Sequence, residues 1–216
     1  NEQRLGNKDL VSLAQYEKLD GIVSLTLRNN HFDYHGVQEL ANSPYLKNLK
    51  SLNLMSNAVG DKGLVLLAES PNLSQLESLN LENTGVTALG ILALSQSPHL
   101  NKLKELNLNS NDLGEKGFRI LADSGNFKNL IKLRTSGVSV GDFEFQAIVR
   151  SDTLNRLEEL EAMGNVITRE SLDSLADSAI LPQLKKLDLR RNKLKDVDLI
   201  FLADSPKFHN LEALRF

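Results

Sequence analysis

The sequence predicts an α/β solenoid, and three observations predict it. From Ile22 the chain repeats every 27 residues without insertion or deletion, with frames opening at Ile22, Leu49, Leu76, Leu103, Leu130, Leu157, Leu184 and Leu211. Each frame opens on a Leu-x-Leu alternation or a close variant, the signature of a short strand with one buried face. Each then carries an apolar cluster at helical spacing, such as Leu64, Leu67 and Ala68. A unit this small cannot bury its own apolar face, so the units must stack, and stability becomes a sum over neighbours.

Within a frame the elements follow in order. The inward strand column reads Leu25, Leu52, Leu79, Leu106, Leu133, Leu160, Leu187 and Leu214. An asparagine column follows at the bend, Asn30, Asn57, Asn111, Asn165 and Asn192. An inward amide there can satisfy backbone groups that no regular ladder reaches, so these asparagines read as structural. The helix follows, as after Gly60-Asp61-Lys62-Gly63, where the acid suits a helix N-terminus. A serine closes it in every complete frame, at Ser43, Ser70, Ser97, Ser124, Ser151, Ser178 and Ser205. Proline comes next at Pro44, Pro71, Pro98 and Pro206, disfavouring helical geometry in the serine before it.

The unbroken frame makes residues 1–216 one domain: a partial repeat 1–21, full repeats 22–48, 49–75, 76–102, 103–129, 130–156, 157–183 and 184–210, and a partial repeat 211–216. Both ends cut a repeat and no polar cap is evident, which points to a piece of a longer protein. A formal charge of -3 with dispersed basic residues leaves no nucleic-acid footprint, and no apolar stretch is long enough to span a bilayer. Without cysteine there are no disulfides or thiolate metal sites, which fits a cytoplasmic location, or translocation into a host cell, better than a disulfide-forming compartment.

The string LxxLxLxxNxxGxxGxxxLAxSPxL, seen in 49–73 and nearly again in 103–127, resembles the leucine-rich repeat, and its helical return resembles the ribonuclease-inhibitor-like subclass. The resemblance covers essentially the whole chain. It implies a right-handed curved solenoid with a parallel β-sheet on the concave face and α-helices on the convex face. The Gly-x-x-Gly-x-x-x-Leu-Ala flavour resembles bacterial members more than vertebrate ones.

Outward strand positions then align as stripes across the sheet. One reads Ser24, Ser51, Ser78, Glu105, Lys132, Glu159, Lys186, Ala213, and a second Val23, Lys50, Glu77, Lys104, Ile131, Glu158, Lys185, Glu212. A third contains Asn53, Asn80, Asn107, Arg134, Glu161, Asp188 and Arg215, and a fourth Arg28, Met55, Glu82, Asn109, Ser136, Met163 and Arg190. Alternating charges on neighbouring strands attract and should hold repeats in register. Both methionines lie in the fourth stripe, where flexible thioethers suit an adaptable contact. The first half of the wall is mostly small and neutral; the second is densely charged.

The fifth frame departs most from the pattern. Thr135 replaces an inward leucine, Val138 the asparagine, and Glu144, flanked by Phe143 and Phe145, a glycine. A buried threonine hydroxyl needs a partner that Val138 cannot supply, so either this coil is looser or it displays Lys132, Arg134 and Ser136 differently.

Catalytic and metal patterns are weak. His31 and His35 stand four apart but flank a bend, and Glu159 and Glu161, about 7 Å apart by strand rise, read better as part of a charge ladder than as a glycosidase pair. Asn72-Leu73-Ser74 matches a glycosylation sequon, but Leu73 falls in a buried column. The expected function is a non-enzymatic protein–protein interaction module: a monomer without cofactors that takes another protein on its concave face, through Arg28, Met55, Asn80, Asn107, Arg134, Glu161, Met163 and Arg190. The alternative that the resemblance implies is a GTPase-activating domain or the recognition half of an F-box-type effector.

Overall fold

A computed structural model describes residues 4–216. Among them eight strands, β1 (Ser24–Thr26), β2 (Ser51–Asn53), β3 (Ser78–Asn80), β4 (Glu105–Asn107), β5 (Lys132–Arg134), β6 (Glu159–Glu161), β7 (Lys186–Asp188) and β8 (Ala213–Arg215), form one parallel sheet in sequence order. They alternate with helices α1 (Asn7–Ala14), α2 (Tyr34–Asn42), α3 (Gly60–Ala68), α4 (Ala88–Ser95), α5 (Gly114–Asp123), α6 (Asp142–Val149), α7 (Arg169–Ala176) and α8 (Asp196–Asp204). The register advances by one frame at every step: Leu52 lies opposite Leu79, Leu79 opposite Leu106, and Leu106 opposite Leu133. Strands repeat about every 4.8 Å whereas packed helices need about 8–10 Å, so the sheet takes the inside of the curve and the helices the outside.

The core is a continuous apolar column between sheet and helices. Leu52, Leu79, Leu106, Leu133, Leu160 and Leu187 are all buried, as are Leu64 and Leu67 from the helical face. The terminal members of the column differ: Leu25 is half-buried and Leu214 is 36% exposed, because each has a neighbouring strand on one side only. Leu73 in the return is buried, as its column required.

Polar columns stitch the coils together. Asn57 donates its amide to Leu27 O of the preceding coil at 2.9 Å and to Leu54 O of its own at 2.9 Å, while its oxygen accepts from Asn30 N. Asn111, Asn165 and Asn192 bridge the same way to Leu81 O, Thr135 O and Ala162 O. The serines do more than end helices: Ser43, Ser70 and Ser97 donate to Ala14 O, Ala41 O and Ala68 O at 2.5–2.6 Å, tying each return to the last turn of the preceding helix. Ser151 does the same to Ala122 O. Among the described residues no buried side-chain nitrogen or oxygen lacks a partner.

The helix-opening acids work between coils as well as within them. Asp61 accepts from Thr87 N, Thr87 Oγ1 and Gly90 N, so it caps the next helix, α4, and not its own. The fifth coil is not loosened by its departures. Thr135 Oγ1 donates to Glu161 O at 3.4 Å, and Val138 N and Val140 N both donate to Asn165 Oδ1, so the sixth coil supplies what Val138 cannot. Glu144 accepts from Gly141 N at 2.9 Å and caps α6.

Candidate functional site

The open face of the sheet is where this architecture gathers side chains. Strands of three residues bury the middle leucine and turn the flanking positions outward, and the in-register stacking repeats those positions as rows. Arg28 and Arg190 are exposed, and Met55, Asn80, Arg134, Glu161 and Met163 are half-buried on this face. Asn107 is different: it is 6% exposed, donates to Glu82 Oε2 at 3.0 Å and accepts from Asn109 N at 3.0 Å. Its amide is already committed to neighbours. Ser136, read as outward, is also buried, and its hydroxyl accepts from Met163 N at 3.1 Å.

The charged rows pair closely. On the second half of the face Lys132 binds Glu159, Lys186 binds Glu159 at 2.7 Å, Arg134 binds Glu161 at 2.9 Å and Lys185 binds Glu158 at 2.7 Å. Asp188 folds down between Arg190, at 2.6 Å, and Arg215, at 3.8 Å. The Lys132 and Lys186 ammoniums outweigh the opposing effect of burial and hold the Glu159 carboxyl below the usual carboxylate range. At Asp188 burial works against ionisation, yet Arg190 and Arg215 overcome it and the carboxyl is again lowered. On the first half, Glu77 is shared by Lys104 at 2.5 Å and Lys50 at 3.3 Å, and both lower its pKa.

The expected set omits one residue with the geometry of Asn80. Asn53, its register partner on β2, accepts from Met55 N at 3.0 Å just as Asn80 accepts from Glu82 N at 2.9 Å. The recurrence of asparagine in three successive frames at that position, Asn53, Asn80 and Asn107, was the available signal.

Other surfaces offer less. His35 stacks on Tyr34 and faces Asp33 at 3.0 Å, and among the described residues no three His, Cys, Asp or Glu side chains converge on a possible metal site. Glu159 and Glu161 sit on an open wall, each paired with a basic side chain, and among the described residues no pocket encloses either carboxyl as a glycosidase acid requires. On the helical side a hollow of about 500 Å³ opens between α5 and α6, lined by Glu115, Arg119, Phe143 and Arg150.

A family model described as leucine-rich repeat matches residues 45–68, 99–119 and 182–203. Together with the eight stacked strand–helix coils, these matches give the chain a leucine-rich-repeat fold. Among solved structures it is similar to internalin C2 from Listeria monocytogenes, at 22% sequence identity and a TM-score of 0.61, over 97% of this chain and 84% of that one. No curated protein matches the chain.

Proposed function

We propose that the chain is a non-enzymatic module that binds another protein on the concave face of its sheet, and that it does so as a monomer. The leucine-rich-repeat fold is a general protein-interaction scaffold. The observation that carries the reading is the register: seven successive strand pairings, each offset by one frame, turn isolated side chains into fixed rows across an open wall. A surface held this rigidly loses little conformational freedom on binding, which leaves more of the contact energy as affinity. Arg28, Met55, Asn80, Arg134, Glu161, Met163 and Arg190 are the proposed contacts, and Asn107 supports them from below through Glu82. No helix among the described residues is long and apolar enough to cross a membrane.

Site-specific photocrosslinking tests the face directly. A photoreactive residue at position 80 or 163 should trap partner protein in an extract, and one at position 143 on the helical side should not. Adducts formed only from position 143 would overturn the proposal.

A further inference from the structure

The two halves of the sheet face differ in what they leave unsatisfied. From β5 to β8 every cation of the face has a carboxylate: Lys132, Arg134, Lys185, Lys186, Arg190 and Arg215 are all in ion pairs. A partner landing there would have to break or desolvate pairs already made. From β1 to β3 the pairing is incomplete, although Glu82 on this half is met by the Asn107 amide. Lys50 and Lys104 share Glu77, while Arg28 stands exposed with no carboxylate within 4.0 Å among the described residues.

The same half presents a directed row of donors. Asn53 and Asn80 each spend the side-chain oxygen on the backbone N–H two residues on, at 3.0 and 2.9 Å, which fixes the rotamer and leaves the Nδ2 hydrogens facing outward. Neither Nδ2 has an acceptor among the described residues, whereas Asn107, next in the row, uses its own on Glu82. The hydroxyls of Thr26 and Ser51 flank them in a shallow hollow of about 140 Å³, likewise without partners among the described residues. Neighbouring strands lie about 4.8 Å apart, so this is a short ladder of fixed donors. Its complement is a row of acceptors. No aromatic ring occupies the outward columns, so stacking of a sugar or a base has no platform there. Main-chain carbonyls of an extended chain fit the donors, and the half-buried Met55 beside them offers a pliable apolar contact.

Resting on the concave-face reading above, we propose that the wall formed by β1–β3 binds an extended acidic segment of a partner polypeptide. Its backbone carbonyls accept from the Asn53 and Asn80 amides, and one of its carboxylates pairs with Arg28. Hydrogen bonds to charged groups are the stronger kind, so Arg28 sets the preference for acid while the amides set the extended conformation.

The test is selection of a displayed random dodecapeptide library on the intact chain, followed by binding of the enriched peptides to variants. Enriched peptides should carry Asp or Glu and should shift the side-chain amide resonances of Asn53 and Asn80. Asn53→Asp with Asn80→Asp keeps the oxygens that accept from Met55 and Glu82, so the fold is retained, but removes the donors; affinity should fall at least about tenfold. Arg28→Ala should cost a similar factor. Failure to enrich any peptide, or peptides indifferent to both variants, would overturn the inference. If affinity is instead lost through Arg134→Ala or Met163→Ala, the concave face is right and this half of it is wrong. If only Phe143→Ser matters, both readings fail.

Discussion

At the scale of single residues, the carboxylates that bridge coils are the most informative. Asp142 accepts from Thr168 N at 2.9 Å and Thr168 Oγ1 at 2.7 Å, and also from Ser171 Oγ. Burial opposes its ionisation, but the bonds from Ser171 and Thr168 outweigh that and lower its pKa. Glu159 and Asp188 are lowered as well. A carboxyl lowered in the folded state binds fewer protons there than in the unfolded chain, so its stabilisation is complete above the unfolded value of about 4 and is lost as pH falls through the folded one. Urea midpoints should therefore be level from pH 7 to about 5 and fall below about pH 4. Asp142→Asn should lower the midpoint at pH 7 and flatten the acid limb; an unchanged limb would show that Asp142 contributes nothing to it. Asn107 makes a second point at this scale. An exposed surface asparagine would be replaceable at almost no cost, but this one is buried between Glu82 and Asn109 N, so Asn107→Ala should destabilise by about 1 kcal/mol or more in chemical denaturation.

At the scale of elements, the helix starts show how neighbouring frames compensate for one another. Where the preceding coil offers a suitable oxygen, it caps the next helix: Asn7 bonds Asp33 N and Gly36 N, Asp61 bonds Thr87 N and Gly90 N, and Asp142 caps α7. Where it offers tyrosine or alanine, at Tyr34 and Ala88, the following helix opens on a glycine with positive φ, Gly60 or Gly114. Where it offers Glu115 or Arg169, the helix caps itself through Glu144 or Asp198. Gly90 has no room for a side chain in this arrangement, since an added Cβ would lie 2.7 Å from Asp61 Oδ1 and 2.9 Å from Leu64 Cδ2. Gly90→Ala should therefore destabilise by about 1–3 kcal/mol. Gly90→Ser should recover part of that loss, because Ser171 at the same place in the sixth coil turns its hydroxyl onto Asp142. Equal loss in both variants, measured by thermal melting, would deny the carboxylate its capping role.

At the scale of the whole molecule, what was legible in the sequence is what repeats. The 27-residue frame specified the strand register residue for residue, because Ser51 faces Ser78 and Glu105 faces Lys132 as the alignment places them. It also gave the inward leucines and the bridging asparagines, whose roles depend only on position in the frame. Bonds that cross frames at other offsets were hidden: Asp61 to Thr87 is a contact between unlike columns, and no single column reveals it. Burial of Asn107 was hidden for the same reason, since it depends on Glu82 in another stripe. The architecture itself makes the last prediction. Each coil touches its neighbours through equivalent columns, so removing 76–102 would set Leu52 beside Leu106 and Asn57 beside Asn111, contacts of the kind already present. The shortened chain should fold, with a cooperative melt at a lower midpoint. Some contacts are lost outright: Lys50 and Lys104 lose Glu77, Asn107 loses Glu82, and Asp61 loses Thr87 and meets the self-starting α5, with Gly114 at positive φ, so part of the lowered midpoint belongs to that junction. Removing only 76–88 would shift strand against helix and leave the sheet unable to continue past β2. A half-frame deletion that melts like the full-frame one would mean that stacking of whole coils does not hold this molecule together.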